Sequence, residues 1–217
     1  MEVVLMKTVE DTISVFDKNA KEYDEWFEKH PAVFESELNA LKGHVPQTGT
    51  GLEVGVGTGR FTKALGVQFG VEPAAAMRVV AQSRGVNVVD GVAEKLPHPD
   101  GSFDFVLFVT TLCFVRDPLQ ALKEAHRVLK PDGLIVVGIV DKNSPLGTRY
   151  SKSTTNAYYR FARFIAASEL ETWLIQVGFK ELQSSQTLMT DPEILHKSEL
   201  SKSGYGEGGF VVFSGTK

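Results

Sequence analysis

The sequence predicts an α/β fold, a largely parallel sheet between layers of helices, and three observations carry that reading. Short apolar runs at about 51–56, 67–71, 86–89, 103–109 and 133–140 alternate with helical stretches at about 59–65, 74–84 and 117–129. The apolar runs are near-continuous Val, Leu, Ile and Phe, which suits strands buried on both faces. The first run then breaks into Gly55-x-Gly57-x-Gly59 ahead of a helix, and an acid, Glu72, closes the next run nineteen residues after Glu53. A glycine bend with an acid about 20 residues on is how a βαβ unit grips a ribose-bearing ligand.

At 217 residues the chain is expected to form a single domain over residues 1–217. Its 42% hydrophobic and 23% charged residues are ordinary for a globular protein. A formal net charge of −4 supplies no positive field for nucleic acid or anionic lipid. Neither a nucleic-acid nor a membrane partner is therefore expected. Cys113 is the one cysteine, so an intrachain disulfide is impossible and a reducing, cytoplasmic setting is expected. No apolar run approaches the roughly 20 residues of a membrane span. The opening MEVVLMKTVEDT reads as too short and too acidic for a signal peptide. The five histidines are spread along the chain, so no metal site is expected.

Taken in order, two helices should open the chain. Phe16, Ala20, Tyr23 and Phe27 share one helical face, and Pro31 ends that run. Phe34, Leu38 and Leu41 mark a shorter helix that stops at Gly43. The first strand then leads into the glycine bend. Asp117 reads as an N-cap with Pro118 at the first helical position. Leu119, Leu122, Ala125 and Leu129 form that helix's inner stripe, and Pro131 with Gly133 stops it. Ser168 and Glu171 read as a capping box for a helix ended by Gly178. Two late strands follow near 180–189 and 209–215. The stretch from Asp141 to Phe164 breaks the rhythm and carries Tyr150, Tyr158 and Tyr159. A crossover this long, leaving the carboxyl edge of the sheet, reads either as part of a substrate lid (about 141–167) or as a surface segment packed on the core.

The glycine spacing narrows the ligand. A dinucleotide turn needs G-x-G-x-x-G, and here Arg60 stands where the third glycine belongs. Glu53, Gly55, Gly57 and Gly59 instead fit [DE]-x-G-x-G-x-G, and at this point the chain resembles the class I S-adenosylmethionine-dependent methyltransferases. The stretch DGVAEKLPHPDGSFD, residues 90–104, is similar to that family's G-D-A-E-x-L-P-F-P-D-x-S-F-D, with Val92 and His98 as departures. FVLFVTTLCFV, Asp117-Pro118 and LKEAHRVLKPDGLIVV continue the likeness, which covers roughly Phe16 to Phe179.

The resemblance implies a Rossmann-like three-layer αβα sandwich. Its sheet would have seven strands, mostly parallel with the last antiparallel, and N-terminal helices (about 8–45) would cap the active site. It also implies methyl transfer from S-adenosylmethionine to a small-molecule acceptor such as a small amine, phenol or quinone, leaving S-adenosylhomocysteine. The backbone of Gly55, Gly57 and Gly59 would lie against the ribose and methionine portion. Glu53 would reach the methionine ammonium and Glu72 the ribose hydroxyls, because a carboxylate offers two acceptor oxygens. Pro73 after Glu72 would turn the chain in the cofactor site, Ala74 would sit beside the adenine edge, Ala93 and Glu94 would bind the adenine, and Thr110 would stand near the methyl group.

Methyl transfer needs alignment and water exclusion more than a dedicated base. Candidate catalytic groups are Tyr23, His30 and Tyr158, with Trp26, Tyr159 and Asp141 beside them. His30 has a suitable pKa class but also reads as a helix-end residue before Pro31. Cys113, among Leu112, Phe114 and Val115, reads as a structural thiol. The [ND]-P-P-[YFW] clamp of many base and glutamine methyltransferases is replaced by VTTLCFV, which favours a small organic acceptor. An NAD(P)-dependent oxidoreductase and a non-catalytic binding protein remain alternatives at this level.

Overall fold

A computed structural model describes residues 8–217, so most of the stretch read against a signal peptide lies outside the described residues. Three helices precede the sheet: α1 (Val9–Lys18), α2 (Ala20–Lys29) and α3 (Pro31–Lys42). Thr8 and Asp11 form a reciprocal capping box at the start of α1. The run expected as one helix breaks at Asn19, whose side chain donates back to the Val15 carbonyl at 2.8 Å. That local bond competes with helix continuation, which is why Asn at this position ends α1. Pro31 both stops α2 and occupies the first turn of α3, where its missing N–H costs nothing.

The alternating region follows as β1 (Gly51–Val54), α4 (Arg60–Leu65), β2 (Phe69–Val71), α5 (Ala75–Ser83), β3 (Asn87–Val89), β4 (Phe103–Val109), α6 (Pro118–Val128) and β5 (Leu129–Val140). Then come α7 (Pro145–Ser151), a 3₁₀ turn (Tyr159–Phe161), α8 (Ala167–Val177), β6 (Lys180–Thr187), β7 (Lys202–Ser203) and β8 (Phe210–Thr216). The sheet runs β3-β2-β1-β4-β5-β8-β6-β7. Strands β1 to β5 pair in parallel, and β8 lies antiparallel between β5 and β6. The expected mostly parallel sheet with a reversed last strand is thus present. An eighth strand, the two-residue β7, extends its edge beyond the seven expected.

Alternate residues of β4 serve two cores, as a strand's period of two requires. Val106 and Phe108 join Leu122 of α6 and Leu170 of α8 on one face. Phe105, Leu107 and Val109 join Val33 and Leu41 of α3 on the other. Each such buried Leu or Phe contributes about 1.5–3 kcal/mol relative to exposure.

Two expected details are corrected. Helix α6 ends at Val128, and Leu129 is already the first residue of β5, so its buried stripe is Pro118, Ala121, Leu122, Ala125 and Val128. The Asp117 cap itself is present, accepting from the Gln120 N–H at 3.0 Å. No capping box forms at Ser168 and Glu171, because α8 starts two residues earlier with Ala166 as its N-cap. The Asp141 carboxylate accepts the Ala167 N–H at 3.0 Å, so a distant acid satisfies the helix start instead.

Candidate active site

β1 sits between β2 and β4, so strand order reverses direction here and a crevice opens beyond the carboxyl ends of these strands. The chain turns sharply at that edge, with φ of +74°, +56° and +80° at Gly55, Gly57 and Gly59. Only glycine takes this left-handed backbone freely. The turn is stitched to the next strand by Gly55 N–H donating to the Val71 carbonyl at 2.8 Å. Glu72 completes the link: its Oε2 accepts the Gly57 N–H and its Oε1 the Ala74 N–H, both at 2.9 Å. Burial raises the Glu72 carboxyl, and the two backbone donors oppose that shift. Arg78 braces the same bend, donating to the Glu72 and Pro73 carbonyls at 2.7 and 2.8 Å.

A cavity of about 330 Å³ opens above this turn. Gly55, Gly57, Glu72, Pro73, Ala93 and Glu94 line one end. Trp26, Phe27, Glu37, Tyr150 and Tyr159 contribute aromatic and acidic wall from α2, α3, α7 and the 3₁₀ turn. Tyr23 stands over the glycine turn, its ring 3.6 Å from where a Cβ on Gly57 would lie. The phenol is raised by burial and then by the charges of Glu72 and Glu37, two of the acids that line the cavity with it.

The sequence-predicted residues divide into those that line this cavity and those that stand behind it. Gly55, Gly57, Glu72, Pro73, Ala93, Glu94, Thr110, Tyr23 and Tyr158 line it; Glu53, Gly59 and His30 do not. Glu53 is 1% exposed and accepts from the Thr62 hydroxyl at 2.5 Å. Burial pushes its carboxyl up to about 8. Gly59 is a packing position, since a Cβ there would press on Val86 at 3.0 Å and on Ala81 at 3.2 Å. The Glu94 carboxylate accepts the Arg116 and Asp117 N–H groups at 2.8 and 3.2 Å, which ties the loop after β3 to the start of α6. Thr110 holds φ +50°, an outlier for a β-branched residue, and strain of that kind collects at functional sites.

His30 stacks on Trp26 with centroids 4.4 Å apart, and its Nδ1 lies 2.8 Å from the Trp26 carbonyl, so it serves the end of α2. Tyr158 donates its hydroxyl to the Asn19 carbonyl at 2.9 Å and packs on Phe16 and Tyr23. Asp141 does not line the cavity; it accepts from Asn143 and Ala167 at the two ends of the crossover. The Cys113 thiol, pushed up to about 12 by burial, donates to the Thr110 carbonyl at 3.2 Å.

Sequence reasoning missed two features of this site. Glu37 lies on the inner stripe of α3, flanked by Val33 and Leu41, and is 6% exposed. An acid at the i+4 position of an apolar stripe is a signal that periodicity could have supplied. Asp24 of α2 receives a two-pronged bond from Arg60 of α4 and a further one from Arg84. Among the described residues, no group of three or more His, Cys, Asp or Glu is placed to hold a metal. No helix among them is long and apolar enough to cross a membrane.

Comparison with known proteins agrees with this architecture. The family described as "Methyltransferase domain" matches residues 52–137. A solved Thermotoga maritima structure is 48% identical, covers 95% of this chain and 99% of its own, and superposes with a TM-score of 0.92. It is described as a SAM-dependent methyltransferase, possible histamine N-methyltransferase. An uncharacterized protein of Methanocaldococcus jannaschii is 43% identical over 206 residues, 94% of this chain and 100% of its own. A demethylmenaquinone methyltransferase of Bacillus licheniformis is 30% identical over 168 residues, 70% of this chain and 69% of its own. The chain is an enzyme of the class I S-adenosylmethionine-dependent methyltransferase family.

Proposed function

We propose that the protein methylates a small organic acceptor, with S-adenosylmethionine along the glycine turn and the acceptor at the aromatic end of the same cavity. The observation that carries this reading is continuity: Gly57 and Glu72 share one hollow with Trp26, Tyr150 and Tyr159. The residues suit the cofactor. Gly57 leaves a cradle that any Cβ would begin to fill, and Glu72 keeps lone pairs for ribose hydroxyls beyond its two backbone bonds. Glu53 would act on the methionine end only from behind the turn, through Thr62 or water.

The bound cofactor supplies an electrophilic methyl on a sulfonium. This chain's own part is to align the acceptor, exclude water and receive a proton where the acceptor carries one. Residues 141–167 would serve as the lid, because Tyr150, Tyr158 and Tyr159 all line the hollow. The helices over residues 8–45 would serve as the cap. The names given to relatives differ in acceptor: histamine is suggested for the Thermotoga protein and demethylmenaquinone is named for the Bacillus one.

The test is calorimetric titration of S-adenosylmethionine and S-adenosylhomocysteine into wild type and Gly57→Val. Wild type should bind both. A β-branched residue at φ +56° and in the cradle should abolish binding. Equal affinity in the variant, or binding of NAD in place of either ligand, would refute the reading.

A further inference from the structure

Glu37 has no role in holding the fold that its contacts reveal. Glu37 is 6% exposed and lines the cavity, and its carboxyl has neither a hydrogen-bond donor nor an ion-pair partner among the described residues. Leaving an acid unpaired in an apolar setting is costly, and a Leu or Gln would pack there more cheaply. Its surroundings are aromatic: Trp26, Phe27, Tyr150 and Tyr159 line the same hollow. Ring faces attract cations, and an orphan carboxyl attracts a charged donor.

We propose that Glu37 is the acceptor-recognition residue and that the acceptor is a small basic amine, whose nitrogen donates to the Glu37 carboxylate within the aromatic wall. The inference rests on the function proposed above and adds the substrate class to it.

Burial alone pushes the Glu37 carboxyl up to about 8, so it is largely neutral near pH 7 while nothing binds. The titratable groups that feel its charge from neighbouring elements are the phenols of Tyr23, Tyr150 and Tyr159, all raised and therefore neutral at that pH. An arriving ammonium pairs with the carboxylate, and the carboxyl proton leaves to solvent. One N–H bond of the ammonium then breaks as the carboxylate forms an O–H bond. The nitrogen lone pair is thereby freed for methylation.

The experiment titrates 2-phenylethylamine into protein saturated with S-adenosylhomocysteine, in phosphate and in Tris near pH 7. 2-Phenylethanol and phenylacetate serve as neutral and anionic counterparts of the same shape. The amine should bind at least about tenfold more tightly than either counterpart. Comparison of the two buffers should show about one proton released per amine bound. Glu37→Gln should lose about tenfold in amine affinity together with the proton release, while its affinity for S-adenosylhomocysteine stays within about twofold. A purely packing role would leave the proton count unchanged. The proposal is overturned if the amine does not bind loaded wild type, if either counterpart binds as tightly, or if the glutamine variant keeps amine affinity and proton release. Failure of wild type to bind S-adenosylhomocysteine would instead strike the reading beneath it.

Discussion

Arg60 grips Asp24 with a two-pronged bond, Nε to Oδ1 at 2.8 Å and Nη2 to Oδ2 at 2.9 Å. The pair joins α4, which leaves the glycine turn, to α2, which carries Tyr23 and Trp26 over the cavity. Arg84 adds a third donor at 2.6 Å. The position that spoils a dinucleotide motif is therefore the tie between α4 and α2.

Asp24→Asn should loosen that anchor. Burial tends to raise the Asp24 carboxyl, but hydrogen bonds from Arg60 and Arg84 outweigh it and hold the group well below the usual carboxylate range. Such a group stabilises the fold above the unfolded value of 3.8, and the contribution is lost as pH falls through the folded one. Replacing charge-assisted bonds of this kind should cost roughly 1–3 kcal/mol at neutral pH. Thermal unfolding of the two proteins should show a gap near pH 7 that narrows below pH 4. An equal midpoint at neutral pH would contradict the anchoring role.

Glu72 should show a double penalty. Glu72→Ala strips the acceptor from the Gly57 and Ala74 N–H groups as well as from a ribose, so both stability and cofactor affinity should fall. Buried donors left unpaired cost about 1–3 kcal/mol each. Glu72→Gln keeps one acceptor oxygen and should recover part of the stability while binding S-adenosylmethionine weakly. Calorimetry beside thermal unfolding separates the two effects, and unchanged affinity in both variants would reject the ribose role.

Glu37 and Glu53 make the wild type weaker in alkali. Burial pushes each carboxyl up to about 8 from the ordinary value of 4.5. The folded state then holds more protons than the unfolded state across that window. The stability each neutral carboxyl lends is complete below 4.5 and is lost as pH climbs through about 8. Glu37→Gln cannot ionise, so its unfolding midpoint should decline less between pH 5 and 9, by several °C at roughly 2–4 °C per kcal/mol. Parallel profiles would mean that Glu37 already ionises freely in the native cavity.

Tyr158→Phe should keep the ring contacts with Phe16 and Tyr23 but drop the bond to the Asn19 carbonyl. One neutral hydrogen bond is worth about 0.5–1.5 kcal/mol. Hydrogen exchange should quicken at the amides around Asn19, the junction of α1 and α2, with the sheet unaffected. Unaltered protection there would show that ring packing alone seats Tyr158 against the first two helices.

The glycine turn and its distant acid were legible because backbone geometry leaves few choices: positive φ at alternate positions demands glycine. Strand and helix order was legible from near-continuous apolar runs. Register-level features were not. Asn19 splits a continuous apolar face through a side-chain bond that periodicity ignores. Asp141 caps α8 from 26 residues away, a partner no local pattern names. Glu37 sits between Val33 and Leu41 on an apolar stripe, a signal discounted because an acid on a helix is ordinarily solvated; that it lacks a partner shows only in the folded cavity. His30 carried a suitable chemical type, but it does not line the cavity of Gly57 and Glu72; stacked on Trp26, it lines a second hollow with Arg149 and Tyr150.

The long excursion after β5 is sewn together at its base. Asp141 accepts the Ala167 N–H, and the Lys142 N–H donates to the Ile165 carbonyl at 3.1 Å. A loop tied at its neck behaves as an interchangeable cassette: its tip can be lengthened, trimmed or rewritten while the strands beneath stay in register. Changes of length or composition at that tip should therefore cost the sheet little.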